Sequence, residues 1–234
     1  MNNDILFSSS PEQVALDQQR FITKVYGWMA GALAITGLVA WYTVNTPSMR
    51  EFIFGNKAVF IGLMIGQILL VASLAGWINK MSTQVATLIF VAYAVLTGLV
   101  FSSLFIIYTS GSLASTFLIT GGMFAVMSLY GWFTGNDLTK LGSLLFMLLI
   151  GLIIASVINI FMNSTILYWI TTYVGIFIFT GLIAYDTQKI KNMGATLVEG
   201  TEEHKKASII GALNLYLDFI NLFLMLLRIF GSRR

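Results

Sequence analysis

Two long stretches of this chain, residues 81–136 and 141–185, contain no Asp, Glu, Lys or Arg. Ordinary soluble domains are about a quarter charged, whereas this chain is 10% charged and 57% hydrophobic. A soluble fold this apolar would have to hide nearly all of its surface, and 234 residues cannot do that. Lipid must therefore be the solvent for much of the chain. A membrane-crossing helix needs about 20 apolar residues, so the length accommodates roughly six to eight spans. That leaves one domain and no room for a soluble catalytic module.

Charged residues and polar breaks divide the chain into seven spans. The first covers residues 25–44 and ends at Asn45-Thr46-Pro47, near Arg50 and Glu51. The second covers 58–78, between Lys57 and Lys80. Thr109-Ser110-Gly111-Ser112 splits the next apolar stretch into a third and a fourth span, and Asn163-Ser164 splits the following one into a fifth and a sixth. A polar loop is expected over 187–206 and the seventh span over 208–230. In that last segment 14 Leu, Ile and Phe residues favour insertion by about 0.3–0.6 kcal/mol each. Asp218 opposes them by about 2.5–3.5 kcal/mol, and Asn214 and Asn221 add to it. The sum is near zero, so this helix spans only if the others shelter its polar face; a re-entrant segment is the alternative.

The expected organisation is a cytoplasmic polar N-tail over 1–24, a seven-helix membrane domain over 25–230 and a basic C-tail over 231–234. Asp4, Glu12, Asp17 and Arg20 interrupt the N-tail, which is unlike a cleavable signal peptide, so the first span serves as the insertion signal. Seven spans put Arg20, Lys24, Lys80, Lys140, Lys189, Lys191, Lys205 and Lys206 on one side, and Arg50, Lys57, Arg228, Arg233 and Arg234 on the other. The richer side is expected to be cytoplasmic. Trp28, Trp41, Trp77, Trp132 and Trp169 all fall near expected span ends, where indole suits the headgroup level. Gly27-x-x-x-Gly31, Gly62-x-x-x-Gly66 and Gly131-x-x-x-Gly135 permit close helix approach and argue for a tight bundle only.

Absence of cysteine excludes disulfides, thiolate metal sites and cysteine nucleophiles. The net charge of +3 lacks the dense basic run that nucleic-acid binding needs. No phosphate loop, dinucleotide fingerprint or metalloprotease motif is present, and an enzyme is not expected. The single histidine, His204, lies in a charged loop and is expected to be solvated. Gln67 and Asn159 read as hydrogen-bond links between helices rather than ion ligands.

One charged side chain lies deep within a span, and it is Asp218. Asn214, Asp218 and Asn221 share one helical face, which must point to the bundle interior or to water. Asp186 ends the sixth span in Ala184-Tyr185-Asp186-Thr187-Gln188. The sixth and seventh spans are antiparallel, so the two carboxyls can meet. At about 4 Å and an effective dielectric near 20, two carboxylates repel by roughly 4 kcal/mol. Such a pair shares one proton, or ionises fully when a cation neutralises it. Oxygen ligands suit a hard ion such as Ca²⁺. The alternatives are that Asp186 is solvated at the interface and that Asp218 is a buried structural hydrogen-bonder.

Ala184-Tyr185-Asp186-Thr187-Gln188, together with Leu215-Tyr216-Leu217-Asp218-Phe219-Ile220-Asn221-Leu222-Phe223, resembles the Bax inhibitor-1 family. Tyr130-Gly131-Trp132-Phe133-Thr134, running through Asp137-Leu138 to Gly142, is a third match, and Val25-Tyr26-Gly27-Trp28-Met29 resembles the bacterial branch. The resemblance extends from about residue 20 to 232. It implies an all-α fold of seven transmembrane helices with the seventh central, and a pH-sensitive Ca²⁺ leak in which Asp186 and Asp218 form a proton-sharing dyad. In the family member where the dyad picture is clearest, an arginine of the second helix latches to the dyad; residues 58–78 here contain none.

The expected function is thus a Ca²⁺-permeable, pH-sensitive leak in a bacterial inner membrane. Asp186 and Asp218 form the ion path, pH sensor and Ca²⁺ ligands, with Asn214 and Asn221 as the supporting face. Protons and Ca²⁺ are cargo and no resident cofactor is implied; the surrounding partner is the lipid bilayer. The rival reading is a non-conducting accessory protein that binds another membrane protein, such as a quality-control protease.

Overall fold

The computed structural model describes residues 11–234, so the first ten residues of the expected N-tail lie outside the described residues. Eight α-helices and one 3-10 turn follow in order: α1 (Pro11–Asn45), α2 (Pro47–Phe54), α3 (Lys57–Trp77), the turn Ile78–Lys80, α4 (Thr83–Ile107), α5 (Ser110–Phe133), α6 (Thr139–Met162), α7 (Thr165–Thr196) and α8 (Glu202–Phe230). All but α2 are long and apolar enough to cross a membrane. Most boundaries carry a cap. Asn56, Ser82, Thr109, Ser164 and Thr201 each accept a backbone N–H of the first turn that follows, satisfying donors that have no partner within the helix. Asn163 stops α6 in the left-handed region at φ 50°. Asn159 accepts the Ser164 N–H there at 2.9 Å, so it closes the α6–α7 turn instead of linking distant helices.

The seventh crossing helix, α8, is the centre of the bundle. Its most apolar stretch is 72% buried, against 39% or less for every other crossing helix. It packs on α1, α4, α5 and α7, while α3 lies outside against α4 and α6 outside against α7. Tyr216 fixes α8 to two neighbours: its hydroxyl is 2.6 Å from that of Thr36, and its ring meets Phe90 and Tyr93 edge-on. Phe219 and Phe223 repeat this against Phe117, Phe124 and Phe101.

Three features differ from the sequence reading. Helix α1 begins about four turns before residue 25, because Phe21, Ile22 and Val25 form a buried apolar stripe beside the solvated Arg20 and Lys24. The expected loop over 187–206 is mostly helix: α7 continues to Thr196 and α8 starts at Glu202. Ile190 and Ile209 carry the apolar core into this segment. His204 is 5% exposed and packs edge-on against Phe21 at 4.9 Å, so it is a packed residue of the first α8 turn and not a solvated one.

With α1 extended, Trp28 falls in mid-helix and is half-buried, while Trp41, Trp77, Trp132 and Trp169 sit at or near helix ends. Gln67 donates to the Leu96 carbonyl at 3.4 Å and links α3 to α4 as expected. Of the spaced glycines, Gly131 alone marks a tight crossing; its backbone lies directly on the Ala184 carbonyl. Positions 27, 31, 62 and 135 face open space.

Candidate functional site

The Ala184–Gln188 segment builds the site residue by residue. Ala184 offers its backbone to Gly131 of α5, and the Tyr185 ring covers Gly142 of α6. Thr187 is fully buried and shares a 2.9 Å hydrogen bond with Ser128, which is bonded in turn to the Tyr26 hydroxyl. Gln188 accepts the Leu138 N–H and donates to the Asn136 carbonyl, both at 2.8 Å. The fourth turn of contacts comes from Lys191, which donates to the Trp132 carbonyl at 2.8 Å and lies over that indole. Five neighbouring residues of α7 are thereby held by α1, α5, α6 and the α5–α6 loop. Asp186 is the member left to face inward.

Asp137, outside the membrane-spanning segments, lies two residues before α6. The Thr139 hydroxyl and backbone N–H both bond its carboxylate and hold it below the usual carboxylate range.

Asp186 and Asp218 meet. They are 8% and 5% exposed, and their carboxyl groups lie within hydrogen-bonding reach of each other. Asp218 Oδ2 is buried and accepts no hydrogen bond from an N–H or hydroxyl group. Asn214 and Asn221 stand on the same α8 face, half-buried, but neither bonds Asp218; Asn221 donates to the Leu217 carbonyl of its own helix at 2.8 Å. The reading of Asp186 as an interface-solvated residue does not describe this arrangement; for Asp218 as a buried hydrogen-bonder satisfied by Asn214 or a neighbouring helix, the partner is Asp186 of α7 and not Asn214.

All four polar side chains line one cavity of about 800 Å³ between α6, α7 and α8. Its rim carries Thr139 and Lys189; its deeper walls are apolar, with Leu152, Ile153, Phe179 and Met225. Lys189 is one turn beyond Asp186 on α7, and its charge reaches that carboxyl. The sequence reading had placed Lys189 only as a loop charge. The i, i+3 spacing from Asp186 was the available signal, and it became meaningful once the loop proved helical.

Among the described residues, no group of three or more His, Asp or Glu is placed to hold a metal ion. Ca²⁺ takes six to eight oxygens. The cavity is lined by two carboxyls, two amides and the hydroxyls of Thr139, Ser143, Ser156 and Tyr185.

These features define an all-α, multi-pass membrane protein with a buried carboxyl pair opening on an intramembrane cavity. The family model described as "Inhibitor of apoptosis-promoting Bax1" matches residues 18–234, and the chain belongs to this Bax inhibitor-1 family. It is 51% identical over 228 residues to "Inner membrane protein YbhL" of Escherichia coli K12, covering 97% of each chain. It is 44% identical to a protein of Borreliella burgdorferi, covering 95% of this chain and 96% of that one. A membrane protein of Streptococcus pyogenes is 32% identical over 99% of both. The inner-membrane relative and the seven apolar helices together support a multi-pass inner membrane protein.

Proposed function

We propose that this protein is a pH-sensitive, Ca²⁺-permeable leak whose ion path runs through the cavity between α6, α7 and α8. The observation that carries this reading is the Asp186–Asp218 pair, buried with the two carboxyl groups within hydrogen-bonding reach of each other. Two carboxylates about 4 Å apart repel by roughly 4 kcal/mol at an effective dielectric near 20, and a hydrogen bond between carboxyls requires a proton on one of them. A divalent cation neutralises both charges and displaces that proton. Proton and Ca²⁺ thus compete for one site, and by linkage each weakens the other's binding by the same factor.

The N-terminus faces the cytoplasm in this proposal. The excess of Lys and Arg supports it. At that end of the bundle Arg20 pairs with Glu199 at 3.2 Å, and Glu202 accepts the Thr83 hydroxyl at 2.7 Å. Ca²⁺ would reach the pair from that side past Lys189.

The test is Ca²⁺ entry into liposomes that carry the purified protein and an enclosed Ca²⁺ dye, measured across pH. Asp186→Ala and Asp218→Ala should each remove the pH dependence while eluting as the parent does. A pH-dependent flux unchanged in both variants sinks the dyad mechanism. Absence of flux from the parent sinks conduction altogether and favours the accessory role, with a membrane protease as the partner to seek.

A further inference from the structure

The cavity holds more apolar surface than an ion path uses. A hydrated cation gains nothing from Leu152, Ile153, Phe179 and Met225, yet these form the wall below the carboxyl pair. From Asp218 to Met225 is seven residues of α8, about 10 Å at 1.5 Å per residue. The cavity volume of about 800 Å³ is within the range of small-molecule sites, which run from roughly 300 to 1,000 Å³. Access is sideways. Phe146, Met147 and Ile153 line the cavity and are also more than half exposed on peripheral α6, so a molecule dissolved in the bilayer meets the opening directly.

The polar end selects the sign of charge. Asp186 and Asp218 both line this cavity. The ionisable side chains lining it are Asp186, Asp218, Lys189 and Tyr185. Lys189 is exposed at the rim, one turn farther out than Asp186, and makes no ion pair within 4.0 Å; the one ion pair among the described residues is Arg20–Glu199. An anionic amphiphile would place its charge against the two carboxyls. A neutral one would bring no counter-charge to the carboxyl pair. An ammonium can donate to the carboxyl oxygens that line the cavity, while its apolar body leaves water for the apolar wall.

We propose that this cavity binds hydrophobic amines, with the ammonium on Asp218 and Asp186 and the apolar body along Leu152, Ile153, Phe179 and Met225. The ligand class is a monocation carrying one apolar chain, taken from the bilayer. This rests on the cavity already read as the ion path, but not on conduction. An amine seated there occupies the carboxyl pair and excludes Ca²⁺ from it.

The experiment is binding of radiolabelled n-decylamine to the full chain in nanodiscs, with empty nanodiscs as the baseline and no flux measured. Saturable binding above the baseline is expected, undisplaced by an equal concentration of n-decanol. Asp218→Asn should weaken it at least tenfold. Ile153→Trp, which fills the apolar wall from the exposed side of α6 without touching the carboxyls, should weaken it by a similar factor. Binding that never exceeds the baseline, displacement by decanol, or either variant binding as the parent does overturns the proposal. Amine binding without Ca²⁺ flux removes the leak and leaves this site standing; flux without amine binding does the reverse.

Discussion

Replacing Gly131 with alanine tests the α5–α7 crossing that positions the carboxyl pair. An added Cβ at 131 would fall against the Ala184 carbonyl oxygen, and would lie 2.9 Å from its carbon and 3.0 Å from its Cα. These are backbone atoms in the middle of a packed helix, so no side chain can swing away. Overpacking of this kind costs about 1–3 kcal/mol, and the upper end applies where backbone must move. The gain in helix propensity from glycine to alanine offsets about 1 kcal/mol. The net loss is about 2 kcal/mol. For a chain of this size 1 kcal/mol shifts Tm by about 2–4 °C, so Gly131→Ala should melt about 4–8 °C lower. Gly27→Ala is the paired control. It faces open space, and the propensity gain alone should raise Tm by about 2–4 °C. Thermal unfolding of both variants in one detergent, followed by tryptophan fluorescence, gives the answer. A Gly131→Ala variant that melts at or above the parent would refute the close-contact reasoning, because both substitutions gain the same propensity.

Lys189 stands at the cavity rim with its charge reaching Asp186, and Lys189→Gln removes the cation that an entering Ca²⁺ must pass. Ca²⁺ entry into liposomes should rise severalfold at about 0.01 M salt. The difference should shrink toward 0.15 M, as the Debye length falls from about 30 to about 8 Å; a salt-independent change would point to altered packing instead. Orientation is testable because the chain has no cysteine. With the N-terminus cytoplasmic, a membrane-impermeant thiol reagent added to intact cells should label Arg50→Cys and leave Lys24→Cys unlabelled; the opposite pattern reverses the assignment.

The seven crossing helices, the antiparallel order of the last two, and the carboxylate in each were fixed by local chemistry. Charge-free apolar runs need lipid, and polar breaks such as Asn163-Ser164 are the places where backbone can turn. The Asn214, Asp218 and Asn221 face followed from 3.6 residues per turn alone. Sequence failed where a helix leaves the membrane. Residues 187–196 look like a loop because Gln188, Lys189 and Lys191 are polar. They are helical because Gln188 bonds the α5–α6 connection, Lys191 bonds the last turn of α5 and Ile190 enters the core. The same holds for His204, whose burial depends on Phe21 from a helix 183 positions earlier.

Whether Asp186 and Asp218 meet was also beyond reading from one chain, since spacing sets only which face of a helix a residue occupies. Contact required the rotation of α7 about its axis. That is set by Gly131 against Ala184, Gly142 against Tyr185 and Ser128 against Thr187, three residues on other helices. The apolar depth of the cavity beside Asp218 comes from peripheral α6, which packs on α7 and leaves the space beside α8 unfilled. Residue type and periodicity decided what the helices are; the close packing of backbone on backbone decided what the two carboxyls face.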